Sequence, residues 1–366
     1  MTSLIVQPGI MEIAPYIGGE SNIDGLRDII KLSSNESAFG PSPEACGAIM
    51  NLKDMMHRYP DSNCSDLRQA IGEIHFIDSG KIVCGSGSDE LISLICQAYA
   101  GPGDEVLYSE HGFLMYPIAA RAVGATPVSA PESNLRANVD ALLGSVTEKT
   151  RLLFLANPNN PTGTYLSSKE IARLHAGLPN NILLVIDAAY SEYVDIDDYD
   201  NGINLVKNNE NVVMTRTFSK IYGLGGMRLG WAYCPEPVVD VLHRVRGPFN
   251  VNSVAQIAGI AAVQDVAFTA QVRDHNKKWL QWTTDRLREF GLSVPDSIGN
   301  FILCDFDKAV GKDAETADVF LKRNGIIVRR MSGYGLPNHL RITIGTQAEM
   351  ARVIDAIGQF LEGKQV

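Results

Sequence analysis

Short apolar runs bounded by glycine, proline or asparagine recur along the chain from about residue 65 to residue 233, with helical stretches between them. Seven such runs predict strands, over 81–84, 105–108, 126–129, 151–156, 181–186, 211–215 and 229–233. Those over 151–156 and 182–186 are apolar at successive positions without alternation, the pattern of strands buried on both faces of a parallel sheet. The segment 89–100 predicts a helix with acidic residues in its first turn and Gly101 as its stop. Strands and helices alternating in this way build an open, wound α/β sheet.

On either side the pattern changes. Before residue 45 turn signals outweigh periodicity: Ala14-Pro15-Tyr16, then Leu32-Ser33-Ser34-Asn35-Glu36, then Gly40-Pro41-Ser42-Pro43. This stretch reads as an extended arm crossing the surface before a helix that starts near Pro43. After Gly247-Pro248 two helices are expected at about 253–266 and 269–290. Strands over 301–306, 325–329 and 340–344 follow, with a helix near 314–323 and a last one over 347–361. The expected organisation is a large domain over 46–265 with a mostly parallel seven-stranded sheet, and a smaller α+β domain built from 266–366 together with the arm, 1–45.

A chain of 366 residues can bury two cores of this kind. With 45% hydrophobic and 20% charged residues, it has the composition of an ordinary globular protein. No run approaches the ~20 apolar residues of a membrane span. The first residues lack the basic and apolar segments of a secretory signal, so the cytoplasm is the expected compartment. A net charge of -10 without a lysine/arginine block argues against nucleic acid as a partner but leaves room for a local anion site. The six cysteines (46, 64, 84, 96, 234, 304) form no C-x-x-C pair and read as reduced, buried thiols. The seven histidines form no H-E-x-x-H, and no metal site is expected.

In open parallel sheets ligands bind beyond the carboxyl ends of the strands, so the residues closing each predicted strand carry the chemistry. After the first comes Cys84-Gly85-Ser86-Gly87-Ser88-Asp89-Glu90, a turn opening a helix whose N–H groups and dipole suit a phosphate. Glu90 stands where a dinucleotide fingerprint has its third glycine. After the second, Phe113 offers a ring at the sheet's edge. After the fourth, Asn157-Pro158-Asn159-Asn160-Pro161-Thr162-Gly163 is a rigid loop presenting amides. The fifth ends at Asp187-Ala188-Ala189-Tyr190, a carboxylate that needs a cationic or hydrogen-bonding partner if buried. Beyond the sixth, Lys220 stands between the hydroxyls of Thr217 and Ser219 and the guanidinium of Arg228, among glycines at 223, 225, 226 and 230. A lysine so placed suits imine chemistry beside a phosphate cup.

Taken in this order, N-P-x-N-P-T-G from Asn157, D-x-x-Y from Asp187 and T-x-S-K-x-x-G-L-x-G-x-R-x-G from Thr217 resemble the fold-type I aminotransferases, which use pyridoxal 5′-phosphate. The resemblance covers nearly the whole chain. Pro15-Tyr16, Leu32-Ser33-Ser34-Asn35-Glu36, Arg58-Tyr59-Pro60, the segment 85–91 and the segment 340–345 look most like the branch of that family acting on histidinol phosphate, in histidine biosynthesis. Two departures stand out. The usual D-E-A-Y reads Asp187-Ala188-Ala189-Tyr190, and the usual N-E-N-P reads Asn35-Glu36-Ser37-Ala38.

The resemblance implies a role for each residue. Lys220 would hold the cofactor covalently and move the substrate proton, and Asp187 would pair with the pyridine nitrogen. Asn160 and Tyr190 would hydrogen-bond the phenolic oxygen, and Phe113 would stack on the ring. Thr217, Ser219, Arg228 and the turn at Gly87, Ser88 and Asp89 would hold the phosphate. Tyr59 would reach that phosphate from a second subunit, which implies a homodimer. Arg341 and Arg329 would bind the carboxylates of glutamate and 2-oxoglutarate, with Arg330 as an alternative to Arg329, and Tyr16 and Asn35 would lie near the other substrate. The implied reaction is ping-pong amino transfer from an amino donor to a 2-oxo acid. An aromatic amino acid as substrate, a phosphothreonine-type decarboxylation and a non-catalytic effector domain are the other readings. The last would carry a DNA-binding module ahead of the fold, where ~45 residues stand here.

Overall fold

The computed structural model describes residues 4–50, 52, 57–306 and 312–363. Among them the strands are β1 (Ile30–Lys31), β2 (Ile82–Gly85), β3 (Glu105–Ser109), β4 (Thr126–Ala130), β5 (Thr150–Ala156), β6 (Leu183–Asp187), β7 (Val212–Thr217), β8 (Gly230–Tyr233), β9 (Phe301–Asp305), β10 (Ile326–Ile327), β11 (Arg329–Met331) and β12 (Leu336–Thr343). The helices are α1 (Pro43–Met50), α2 (Ser65–His75), α3 (Ser88–Tyr99), α4 (Met115–Ala122), α5 (Val139–Gly144), α6 (Ser168–Gly177), α7 (Ile203–Asn208), α8 (Glu236–Val245), α9 (Ser253–Gln264), α10 (Val266–Glu289), α11 (Ala314–Arg323) and α12 (Gln347–Glu362).

The seven runs expected as strands form one sheet, in the order β2-β8-β7-β6-β5-β3-β4. Neighbours pair in parallel except at β8, which runs antiparallel to both β2 and β7. The unbroken apolar runs follow from burial on both faces. Along β5, Leu153 and Leu155 enter one core with Leu184, Ile186 and Met214, whereas Leu152 and Phe154 enter the opposite core with Val106, Val185 and Val213. Helices α2, α6 and α9 close the first core through Leu67, Ile171 and Ala258, and α3, α4 and α8 close the second through Ile92, Ala120 and Leu242. Each large apolar side chain fully buried in this way stabilises the fold by about 1.5–3 kcal/mol.

A separate core gathers Ile30, Leu32, Trp279, Leu287, Ile302, Ile342 and Val353. Its antiparallel sheet has the order β11-β12-β9. The arm joins it through β1, which pairs in parallel with β10, Ile30 opposite Ile326. Helix α10 links the two halves of the molecule: Val272 packs in the first core of the large sheet, and Trp279 and Leu287 pack here. α12 opens with a capping box between Thr346 and Glu349, which satisfies the first N–H groups of the helix.

Two expectations are corrected. The run 325–329 is two strands, because Ile326 and Ile327 pair with the arm whereas Arg329 turns to pair with Arg341 on β12. Among the cysteines all six are free, but Cys46 is exposed; it follows Ala45, which is the buried residue of α1. Among the described residues no single helix is long and apolar enough to cross a membrane.

Candidate active site

Because β2, β5, β6 and β7 run in one direction, the residues following them meet at one edge of the sheet. There a cavity of about 280 Å³ lies between the large sheet, the arm and the second core. The large sheet contributes Ser88, Asp89, Phe113, Asn160, Asp187 and Tyr190, then Thr217, Ser219, Lys220 and Arg228. The arm contributes Tyr16, Asn35 and the Ser33-Ser34 pair, and β11 and β12 contribute Arg329 and Arg341. Residues singled out at scattered positions of the sequence thus share one cavity.

Besides Arg329, three charged groups in it have no ion-pair partner among the described residues. Asp187 is 5% exposed and its partners are neutral: the Tyr116 hydroxyl donates to Oδ2 at 2.8 Å and Thr215 Oγ1 to Oδ1 at 3.2 Å. Burial pushes its carboxyl up to about 6, and the two hydroxyl donors act the other way. Lys220 is half-buried, with Nζ donating to the Ser34 carbonyl at 3.2 Å and lying 5.7 Å from the centre of the Tyr190 ring. Burial, then the charge of Arg341, lowers its ammonium from 10.5 to about 8. Arg341 is 6% exposed. Its Nη1 donates to Asn160 Oδ1, its Nη2 to the Ser33 carbonyl at 2.8 Å, and its Nε is buried without a partner. Burial lowers its pKa, the signature of a cation held out of water against carbonyl oxygens alone. A buried carboxylate without a cation and a buried guanidinium without an anion, in one cavity, call for a ligand bearing both charges.

One corner is built for an anion. Gly87 is the N-cap of helix α3, with a φ of 87° in the left-handed half of the map and no side-chain cap; the first N–H groups of the helix are therefore available to an anion. Glu90, the residue that breaks the dinucleotide pattern, folds back instead: it accepts from the Ser86 N–H at 2.6 Å and from Asn250 Nδ2 at 2.7 Å, bracing the turn. Arg228 donates to Ser219 Oγ at 3.4 Å and to the Gly225 carbonyl at 3.0 Å, and pairs with Asp89 at 3.1 Å. The carboxylate of Asp89 is thus taken by Arg228, and its contribution to anion binding is its place in the first turn. Two glycines are required here: Gly87 by its positive φ, and Gly230 by close approach, since a Cβ on it would stand 2.5 Å from the Ser88 nitrogen.

Opposite this corner, Asn35 adopts a positive φ of 55°. Its Nδ2 donates to the Tyr190 hydroxyl at 2.9 Å and its Oδ1 accepts from Thr343 Oγ1 at 3.2 Å. Although Asn35 lines the cavity, its side chain is thus engaged by protein partners on both atoms. Arg329 faces the cavity and donates to the Ile17 carbonyl of the arm at 2.6 Å. Arg330 points away and pairs with Glu315 at 3.1 Å. Tyr16 is 55% exposed at the rim. Tyr59 lies outside the cavity, 83% exposed and stacked on Phe249 with ring centres 4.6 Å apart. Tyr116 and Tyr334 escaped the reading of the sequence. Tyr116 sits inside an apolar helix like any core aromatic, and Tyr334 follows a strand end, in the turn Ser332–Tyr334; only the carboxyl-end rule, applied to the second core as well, could have flagged the latter.

A parallel sheet whose strand ends join a half-buried lysine, a buried aspartate and an anion corner defines a class. The family described as aminotransferase class I and II matches residues 27–357, and the chain belongs to it. Within that family the chain is 59% identical over 361 residues to a histidinol-phosphate aminotransferase of Paramagnetospirillum magneticum, covering 99% of each protein. It is 56% identical over 363 residues to the histidinol-phosphate aminotransferase of Rhodospirillum centenum, covering 99% of this chain and 100% of that protein. Among solved structures, the histidinol-phosphate aminotransferase of Sinorhizobium meliloti in complex with pyridoxal-5′-phosphate superposes with a TM-score of 0.85, at 28% identity over 92% of each chain.

Proposed function

We propose that the protein is a pyridoxal-phosphate-dependent aminotransferase that moves the amino group between histidinol phosphate and 2-oxoglutarate, yielding imidazole-acetol phosphate and glutamate, in histidine biosynthesis. One observation carries the reading: Asp187, buried with neutral donors only, lines the same cavity as Lys220, whose amine is shifted to about 8. A protonated pyridine nitrogen supplies the cation that Asp187 lacks, and an aldehyde needs an amine that is partly neutral near physiological pH. The likeness to proteins of that name over nearly the full chain supports the same substrate.

When bound, pyridoxal phosphate supplies the aldehyde and a ring that accepts the electron pair left when the substrate Cα loses its proton. The chain supplies the rest. Lys220 would hold the cofactor until the substrate amine displaces it, and its freed Nζ would then take the Cα proton. Asp187 would keep the ring nitrogen protonated. Tyr190 and Asn160 would donate to the phenolic oxygen, Phe113 would cover the ring, and Thr217, Ser219, Arg228 and the first turn of α3 from Gly87, Ser88 and Asp89 would hold the phosphate. Arg341 and Arg329 would bind the carboxylates of glutamate and 2-oxoglutarate, excluding water from a buried charge pair, with Tyr16 and Asn35 bordering the other substrate.

The reading includes a homodimer in the cytoplasm. Tyr59 on the surface would reach the cofactor phosphate of a second copy, and the apolar arm residues Leu4, Ile5, Met11 and Ile17, all exposed, would find cover there.

Steady-state kcat/KM with 2-oxoglutarate as acceptor tests the substrate. Histidinol phosphate is expected to be preferred over phenylalanine and tyrosine. Turnover of the aromatic amino acids with none of histidinol phosphate would reject the proposal.

A further inference from the structure

Asp187 is held by a pair of hydroxyls that the chemistry proposed above leaves unexplained. Tyr116 comes from the first turn of α4 and is fully buried. Its ring stacks on Phe154 with centres 4.7 Å apart and planes 10° apart, and meets Phe113 edge-on at 5.9 Å. That packing fixes its hydroxyl, which donates to Asp187 Oδ2 at 2.8 Å. Burial and the neighbouring carboxylate raise the phenol well above its ordinary value, so it remains an O–H donor throughout the neutral range. Thr215 is the cross-strand partner of Asp187 between β6 and β7, and its hydroxyl donates to the other carboxylate oxygen at 3.2 Å.

We infer that Tyr116, assisted by Thr215, is the positioning residue that keeps Asp187 ionised and correctly turned toward the cofactor's ring nitrogen. The inference rests on the pyridoxal phosphate reading. Its physical basis is competition: burial and the like charge of Asp89 at the start of α3 favour the neutral acid, whereas Tyr116, Thr215 and the Ala189 N–H favour the anion. Tyr190, beyond β6, is also buried and is a neutral neighbour in this range, because burial raises its phenol. Lys220 lines the same cavity. A carboxylate accepts about four hydrogen bonds, so the two hydroxyls leave room for a ring N–H. Neither hydroxyl touches the reacting atoms; both act through Asp187.

The test is equilibrium binding of pyridoxal phosphate to the apoprotein between about pH 5 and 9, followed by protein fluorescence, for the wild type, Tyr116→Phe, Thr215→Val and Tyr108→Phe. Tyr116→Phe retains the stacked ring and is expected to weaken binding roughly tenfold to a hundredfold. It should also move the acidic limb of the binding curve upward by about one unit or more, with Tm little changed. Thr215→Val should act in the same direction with a smaller effect, and Tyr108→Phe, which removes a hydroxyl from a ring beside Tyr116, should leave affinity and limb alone. An unchanged affinity and limb in Tyr116→Phe, or a fall in Tm without either shift, would overturn the inference. Failure of the wild-type apoprotein to bind pyridoxal phosphate would instead remove the reading beneath it.

Discussion

The side-chain amide of Asn35 donates to the hydroxyl of Tyr190 at 2.9 Å, while Thr343 of the antiparallel sheet holds the same asparagine through its backbone N–H at 2.9 Å and its Oδ1 at 3.2 Å. Since Tyr190 accepts from Asn35, its own proton is free to point into the cavity, where the proposed function calls for a donor to the phenolic oxygen. The arm therefore couples the second core to a residue at the carboxyl end of β6. Asn35→Ala leaves two buried hydroxyls short of a partner and should cost about 1–3 kcal/mol in denaturant unfolding. Asn35→Asp keeps the acceptor for Thr343 but places a second acceptor against Tyr190. It should lower kcat roughly tenfold, and an unchanged kcat would show that the orientation of the Tyr190 proton does not matter.

Arg341 offers a sharper contrast between binding and folding. Its charge is buried without an anion among the described residues, so under the proposed function a substrate carboxylate would gain a strong, desolvated partner. Arg341→Gln should reduce kcat/KM for both glutamate and 2-oxoglutarate by about a hundredfold or more, mainly through KM. Loss for only one of the two would mean that Arg329 carries the other carboxylate alone.

The amine of Lys220 sets a pH dependence. Its folded value, about 8, lies below the 10.5 of an ordinary lysine, so the neutral nucleophile is populated at correspondingly lower pH. The rate of covalent cofactor uptake by the apoprotein should rise with pH and level off above about 8. Between the folded and unfolded values the unfolded chain holds the extra proton, so this residue adds stability as pH rises through that window. A rate still climbing at pH 10 would mean that the lysine is not desolvated.

Much of this site was legible in the sequence because buried parallel strands have an unmistakable pattern, and the residues that end them must be polar for a reason. Asp187, Lys220 and Arg228 follow from that logic. What was not legible is reached across the fold. Tyr116 looks like core because it is core, except for one oxygen atom. Asn35 reads by its neighbours as a turn residue, and the pairing of Ile30 with Ile326 together with the hydrogen bonds to Thr343 brings it to Tyr190. Arg329 and Arg330 are adjacent in sequence, and strand alternation on β11, which sends successive side chains to opposite faces, decides which one meets the cavity. The antiparallel β8 was equally hidden, since a two-face-buried strand carries no mark of its direction.

The role proposed for the exposed Tyr59 predicts a site shared between subunits. Mixing protomers that carry Tyr59→Ala with protomers that carry Lys220→Ala should restore activity, because the intact lysine of one protomer then meets the intact tyrosine of the other. If Tyr59 acts within its own chain, no mixed dimer contains a complete site and no activity returns.

Everything proposed for the site depends on Lys220 being the residue that holds the cofactor. The direct measurement is borohydride reduction of the protein loaded with pyridoxal phosphate, followed by peptide mapping of the label. The label is expected on Lys220, and Lys220→Ala should take up none while retaining the fold. A label mapped to any other lysine, or undiminished labelling of Lys220→Ala, would contradict the assignment.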